Sequence, residues 1–208
     1  MACWRILVAR FNQFERKLAQ WQAALDAVEY SSSSANPTNF GVDPNRTISW
    51  VVNDGTLNSA TATTTLTITA QDAAPALGNV AATASYTQND PAVTLSSGAT
   101  VSDVDNQFLQ SATVSISSGF FTGDVLSANV TGPSITASYD ATTGVLTLTG
   151  NDTLANYQQV LDSVTYVSNS SNPTNSGVDP NRTISWVVND GTLASATQTT
   201  TLDIIATM

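Results

Sequence analysis

The 208 residues carry a formal net charge of −10, contain no histidine and a single cysteine, and are 41% hydrophobic. Without histidine there is no Ser-His-Asp or Cys-His catalysis, no His-ligated zinc and no imidazole acid–base chemistry. Cys3 alone forms no intramolecular disulfide. From residue 18 onward, 15 acidic residues stand against Arg46 and Arg182 alone. Such a balance repels nucleic acid and anionic membranes and suits divalent cations and high salt.

In chain order, Met1–Lys17 holds four of the six basic residues, Arg5, Arg10, Arg16 and Lys17. Its apolar run is too short and interrupted for a secretory signal. No stretch reaches the roughly 18 apolar residues that a membrane-spanning helix needs. The segment reads as an unmatched leader, an artefact of gene calling or truncation, with a short helix through 11–27. Residues 18–70 then recur at 154–206 with a constant offset of 136 and about three quarters of positions identical. Gly41–Leu57 reappears unchanged as Gly177–Leu193. Self-similarity at a fixed period is the mark of a repeat array. The expected organisation is the leader 1–17, the C-terminal half of a unit at 18–71, and a complete unit at 72–208, the whole being a fragment of a longer repeat protein. A half-unit exposes a sheet edge and an open apolar face. It docks on the complete unit, recruits another chain by strand addition, or stays poorly folded.

Within 72–208, alternating β-branched segments separated by Gly, Asn, Asp and Pro predict strands near 84–87, 92–95, 111–117, 125–130, 134–139, 145–149, 163–168, 182–188 and 196–205. Ile184, Trp186 and Val188 fall at period two, which makes Trp186 a core anchor, and Trp50 is expected to play the same part. Val145 or the pair Leu146 and Leu148 faces the core. One helix interrupts the strands: Asp152 or Thr153 can cap a segment running to about Asp162, with Leu154, Tyr157, Val160 and Leu161 at helical spacing. Many short strands with frequent turns make an all-β sandwich with one short crossover helix per unit.

The acidic residues gather in loops. Asp103 and Asp105 are one residue apart, so an extended loop can direct both carboxylates at one hard cation. Asp72 stands at the junction between units, ahead of Ala73-Ala74-Pro75. Asp54 and Asp190, in the twin Asn-Asp-Gly turns, offer further oxygens, although Asp-Gly is also a hairpin signal in its own right. Asp43 and Asp179 precede the same strands, and Asp-Pro starts turns.

The pattern DTLANYQQVLDSVTY, then NPTN, then RTISWVVNDGTLASATQTTTLDI resembles the cadherin-like repeats of large bacterial surface adhesins and related secreted repeat proteins. The junction TAQDAAPAL is similar to their unit-linking segment, with Asp72 in the aspartate position. The resemblance covers roughly 18–208. It implies an Ig/cadherin-like sandwich, export to the cell surface or medium, a role in adhesion or spacing, and calcium at unit junctions held by Asp72, Asp103 and Asp105. The expected partners are neighbouring repeat units and a cell-surface or glycan target, with no enzymatic activity. The alternative is a carbohydrate-binding module of a secreted enzyme, whose aromatic platform is sought among Phe108, Phe120, Phe121 and Tyr139. Phe120 and Phe121 are adjacent, so in a strand one of them faces outward.

Overall fold

The computed structural model describes residues 18–207. The leader, and with it the 11–17 part of the expected helix, lies outside the described residues. The first copy of the repeat contributes helix α1 (Leu18–Asp26) and a hairpin of β1 (Asn45–Trp50) and β2 (Ala62–Thr67). The rest of the chain supplies β3 (Ala76–Gly78), β4 (Thr83–Thr87), β5 (Val93–Thr94), β6 (Thr100–Ser102), β7 (Phe108–Ser118), β8 (Asp124–Ser127), β9 (Thr136–Asp140), β10 (Val145–Thr153), α2 (Leu154–Asp162), β11 (Thr165–Ser168), β12 (Asn181–Asn189) and β13 (Gln198–Ile205).

These later strands form a six-stranded sheet in the order β4-β13-β12-β7-β10-β9, a three-stranded sheet β5-β11-β8, and a small β3-β6 ribbon. Pairing is antiparallel except for β4 and β13, which run parallel with Thr83 opposite Thr201 and Thr87 opposite Ile205. The inward positions of both sheets form one core drawn entirely from residues 77–204, the arrangement of a β-sandwich. Alternation places Arg182, Ile184, Trp186 and Val188 of β12 inside, with Leu109, Ala112, Val114 and Ile116 of β7. On β10 it is Leu146 and Leu148 that are buried, and Val145 is only partly so. Trp186 is fully enclosed and its Nε1 donates to Thr200 Oγ1 at 3.0 Å, which satisfies the one polar atom that the ring takes inside.

Helix α2 crosses from the large sheet to the small one. Thr153 caps it, its hydroxyl accepting from Asn156 N at 3.2 Å, while Asp152 sits one residue further out. Tyr157, Val160 and Leu161 are buried, and Leu154 is half-covered. Just before the cap, β10 shifts register against β7 between Thr149 and Asp152. Gly150 makes that kink at φ +147, where a Cβ would stand 2.2 Å from Ser134 O, so no larger residue fits.

Trp50 departs from expectation. Its strand alternates like β12, and its Nε1 donates to Thr64 Oγ1 at 2.9 Å, yet the ring is only partly covered because, among the described residues, no second sheet lies over it. It anchors no core. Phe120 and Phe121 lie in the loop between β7 and β8, outside any strand, so the alternation that would turn one of them outward does not apply.

Candidate junction site

The closed unit ends, on the side where the chain enters, in a loop of carboxylates. The Asp103–Asn106 loop follows β6 and, rather than being extended as expected, bends at Val104 and Asp105, closed by Asp103, whose Oδ1 accepts from Asp105 N and Asn106 N, both at 3.1 Å. The linker between the copies is tied to this loop. Ala73 N donates to Asp105 Oδ2 at 3.0 Å, and Asn106 Nδ2 donates to Asp72 Oδ1 at 2.9 Å. Asp72, Asp103 and Asp105 are thus assembled at one end of the sandwich, Asp72 through an intervening amide.

Two carboxylate oxygens of the loop, Asp103 Oδ2 and Asp105 Oδ1, are buried with no hydrogen-bond partner. Burial pushes the Asp103 carboxyl above its ordinary value, against the lowering by its two backbone hydrogen bonds. Unpartnered buried carboxylate oxygens are what a hard cation would satisfy. The set is nonetheless sparse. Among the described residues no group of three or more acidic side chains stands close enough to hold a metal ion. Calcium takes six to eight oxygens, so the fit is partial and the balance falls to carbonyls and water.

Asp190 reaches the same end. Asn189 pairs with Ser111, and Gly191, at φ +110, backs onto the Gln110 side chain. The Asp190 Oδ1 closes its own turn by accepting from Thr192 N at 2.7 Å and Leu193 N at 2.8 Å, leaving Oδ2 buried and unpartnered. Asp54 repeats the turn geometry, and hydrogen bonds from Leu57 N and then Thr56 N hold its carboxyl below the ordinary value. The hairpin carries Asp54 away from the junction, however: Asn45 and Thr67 mark the junction end, Trp50 and Ala62 the turn end. Asp43 and Asp179 accept from Asn39 and Asn175 Nδ2 at 3.0 and 2.9 Å, a role within their turns.

The most heavily engaged acidic group is one that the sequence did not single out. Asp124, on β8, is buried and meets Arg182, on β12, across the sandwich at 2.5 Å from Nε to Oδ2. Tyr166 OH donates to Asp124 Oδ1 at 2.6 Å, Phe121 N to Oδ2 at 2.9 Å, and Tyr139 OH to the Asp124 carbonyl at 2.7 Å. The guanidinium also donates to the carbonyls of Pro173, Asp179 and Asn181, at 2.6, 2.9 and 3.3 Å, and lies 5.9 Å over the Phe121 ring. Burial, then the Asp124 charge, pushes the Tyr139 phenol up to about 12; Tyr166 is raised further, by burial and then by its hydrogen bond to Asp124. A buried ion pair of this kind is tolerated because every remaining donor finds an acceptor. The available signal was the inward register of Arg182, the one cation after residue 46, in line with Ile184 and Trp186.

The same cluster uses up the aromatic platform. Tyr139 and Phe121 are engaged with Asp124 and Arg182, and Phe120 packs against the core. Phe108 alone of the four is exposed, at 49%.

These features define an all-β sandwich unit with one crossover helix, preceded by a second copy of its C-terminal half. No family model matches the chain. Over 126 residues, 56% of its length, it is 36% identical to halomucin of Haloquadratum walsbyi (strain DSM 16790 / HBSQ001), and it spans 1% of that protein. Among solved structures it is similar to domains 4 and 5 of the S-layer protein SbsC, at TM-score 0.35 and 16% identity, covering 71% of this chain and 53% of that one. It is also similar to the protocadherin GammaB4 extracellular domain, at TM-score 0.31 and 15% identity, covering 79% of this chain and 22% of that one. At those scores neither likeness bears on the architecture, which rests on the strand pairing above.

Proposed function

We propose that the chain is a structural module of an extracellular surface protein, a non-catalytic link whose repetition sets reach and multiplies adhesive contacts, with calcium at the unit junction. The observation that carries this reading is the junction itself. The linker residues Asp72 and Ala73 are tied to the Asp103–Asn106 loop, where two buried carboxylate oxygens lack partners. Asp72, Asp103 and Asp105 would hold the cation, with Asp190 at the same end of the sandwich. The ion would supply charge compensation and stiffen the step from one unit to the next. The acidic surface and the identity shared with halomucin support placement outside the cell. The neighbouring units are the first partners.

Thermal melting of the full chain with calcium and with EDTA tests the proposal. EDTA lowers the melting temperature, and Asp103→Ala combined with Asp105→Ala removes the difference. Superimposable curves with and without calcium overturn the calcium assignment.

A further inference from the structure

Five N-x-S/T sequons occur in the chain, at Asn45, Asn129, Asn151, Asn169 and Asn181. All five asparagines are exposed, so exposure does not rank them. Hydrogen bonding does. Asn45 and Asn181 open the paired strands β1 and β12. Asn45 Oδ1 accepts from Thr67 Oγ1 at 3.1 Å, and Asn181 Nδ2, in the amide orientation that its neighbours satisfy, donates to Pro180 O and Asp203 Oδ1 at 3.0 and 2.9 Å. At Asn151 the sequon's threonine is engaged at the helix: Thr153 N donates to Asp152 Oδ1 at 2.8 Å and its hydroxyl caps α2. At Asn169 the chain is held on both sides, Asn169 N donating to Gly123 O at 2.8 Å and Ser171 O accepting from Gln88 Nε2 at 2.7 Å.

Asn129 differs from all four. It stands in the loop between β8 and β9, which is tied by Asn129 N to Ser163 Oγ at 2.9 Å and by Ser134 N to Asp152 Oδ2 at 2.6 Å. Val130 packs against the core, and Asn129 and Thr131 on either side of it are exposed. Thr131 N donates to Asn129 Oδ1 at 2.9 Å, which closes an Asx turn across the sequon. The carbonyl half of the carboxamide is thereby turned toward the chain, and Nδ2 away from it. Among the described residues neither Asn129 Nδ2 nor Thr131 Oγ1 has a hydrogen-bond partner, and no other sequon bonds its third-residue amide to its own asparagine.

We propose that Asn129 is an N-glycosylation site, the acceptor for an oligosaccharide carried on a lipid phosphate. In the transfer, Nδ2 forms a bond to the anomeric carbon of the sugar. The bond from that carbon to the phosphate oxygen breaks, and one Nδ2 proton is lost as the lipid phosphate leaves. The free Thr131 hydroxyl supplies the group by which a transferring enzyme tells a sequon from any other asparagine. The proposal rests on the extracellular reading above, because such acceptors belong to the surface loops of secreted chains. Position favours it too. Asn129 lies where β8, at the edge of the three-stranded sheet, passes to β9, at the edge of the six-stranded one. A glycan there shields two strand edges that would otherwise offer open hydrogen-bonding groups to another chain.

The test is transfer in vitro to the purified, folded full chain, using a single-subunit oligosaccharyltransferase that accepts any N-x-S/T and its lipid-linked donor. Intact mass is expected to rise by one oligosaccharide, which peptide mapping places on Asn129. Occupancy there should exceed that of each other sequon by about tenfold or more, since sequons held in strands or caps must first open locally. Asn129→Asp keeps an oxygen for the Thr131 N–H, and so keeps the turn; it should abolish transfer at this site with an unchanged melting curve. Thr131→Ser retains the hydroxyl and should retain transfer, whereas Thr131→Val should lose it. An unmodified Asn129, while a free sequon peptide in the same tube is glycosylated, overturns the proposal. So does occupancy of Asn129 no higher than that of Asn45 or Asn181. Export plays no part in this assay, so a failure here leaves the extracellular reading standing.

Discussion

Residues 18–70 and 154–206 put nearly one sequence into two environments. Their local structure is shared. Arg46 pairs with Leu66 as Arg182 pairs with Leu202, each Trp Nε1 reaches the Thr fourteen residues on, and the turns at 39–41 and 175–177 run through the same three left-handed positions. What differs is everything that needs a partner from elsewhere in the chain. β12 runs to Asn189 because β7 pairs with it, whereas β1 stops at Trp50. β11 exists between β5 and β8; the matching 29–32 forms no strand. Hairpins and turns are thus written locally, while burial and strand length are conferred by the sheet across the core.

The largest expected effect comes from the ion pair. Asp124→Ala leaves Arg182 buried without its counter-charge and should lower stability by about 3–5 kcal/mol in urea unfolding, whereas Arg46→Ala should cost under about 1 kcal/mol. An equal cost at both positions would break the contrast by showing that Arg46 is already engaged. The tryptophans come next: Trp186→Ala should cost about 3–5 kcal/mol through the cavity it leaves, and Trp50→Ala within about 1 kcal/mol. Acrylamide quenching sharpens this pair, since Trp50→Phe should lower the quenchable fraction of the emission and Trp186→Phe should raise it, the other two tryptophans being common to both variants. The smallest effect, nil at neutral pH, is alkaline. The Tyr139 and Tyr157 phenols are pushed up to about 12, by burial first and by nearby Asp charges second. The folded chain therefore keeps these protons after the unfolded chain, with phenols near 10, has lost them. Stability is full below about pH 10 and falls as pH rises through about 12, so phenolate absorbance should appear together with unfolding.

Much of the closed unit was legible from period and punctuation. The α2 segment and the inward row of β12 follow from residue spacing alone, and the helix cap is narrowed to Asp152 or Thr153, of which the structure selects Thr153. The parallel β4–β13 pair did not, because nothing in either strand names a partner more than a hundred residues away. The same distance blindness hid Asp124. It lies 58 residues from Arg182, and only their opposition across the sandwich gives either a meaning. The expectation for Trp50 failed for a related reason: alternation says which face a ring occupies, not whether that face is covered. At the junction, the Asp103–Asp105 spacing indicated a shared loop, but the engagement of their other oxygens by backbone amides appears only in the folded geometry.

The parallel pairing of β13 with β4 has one more consequence. A unit whose chain enters at the Asp72 end and leaves beside Thr87 converts sequence length into distance along one axis, by a step of roughly 30 Å, the length of the nine-residue β12. Gaining or losing 136 codons would then lengthen or shorten the molecule by one fixed increment without altering any surface within a unit. Near-identical neighbouring copies are the sequences most prone to such exchange, so the reach of the array would be set by copy number rather than by point substitution.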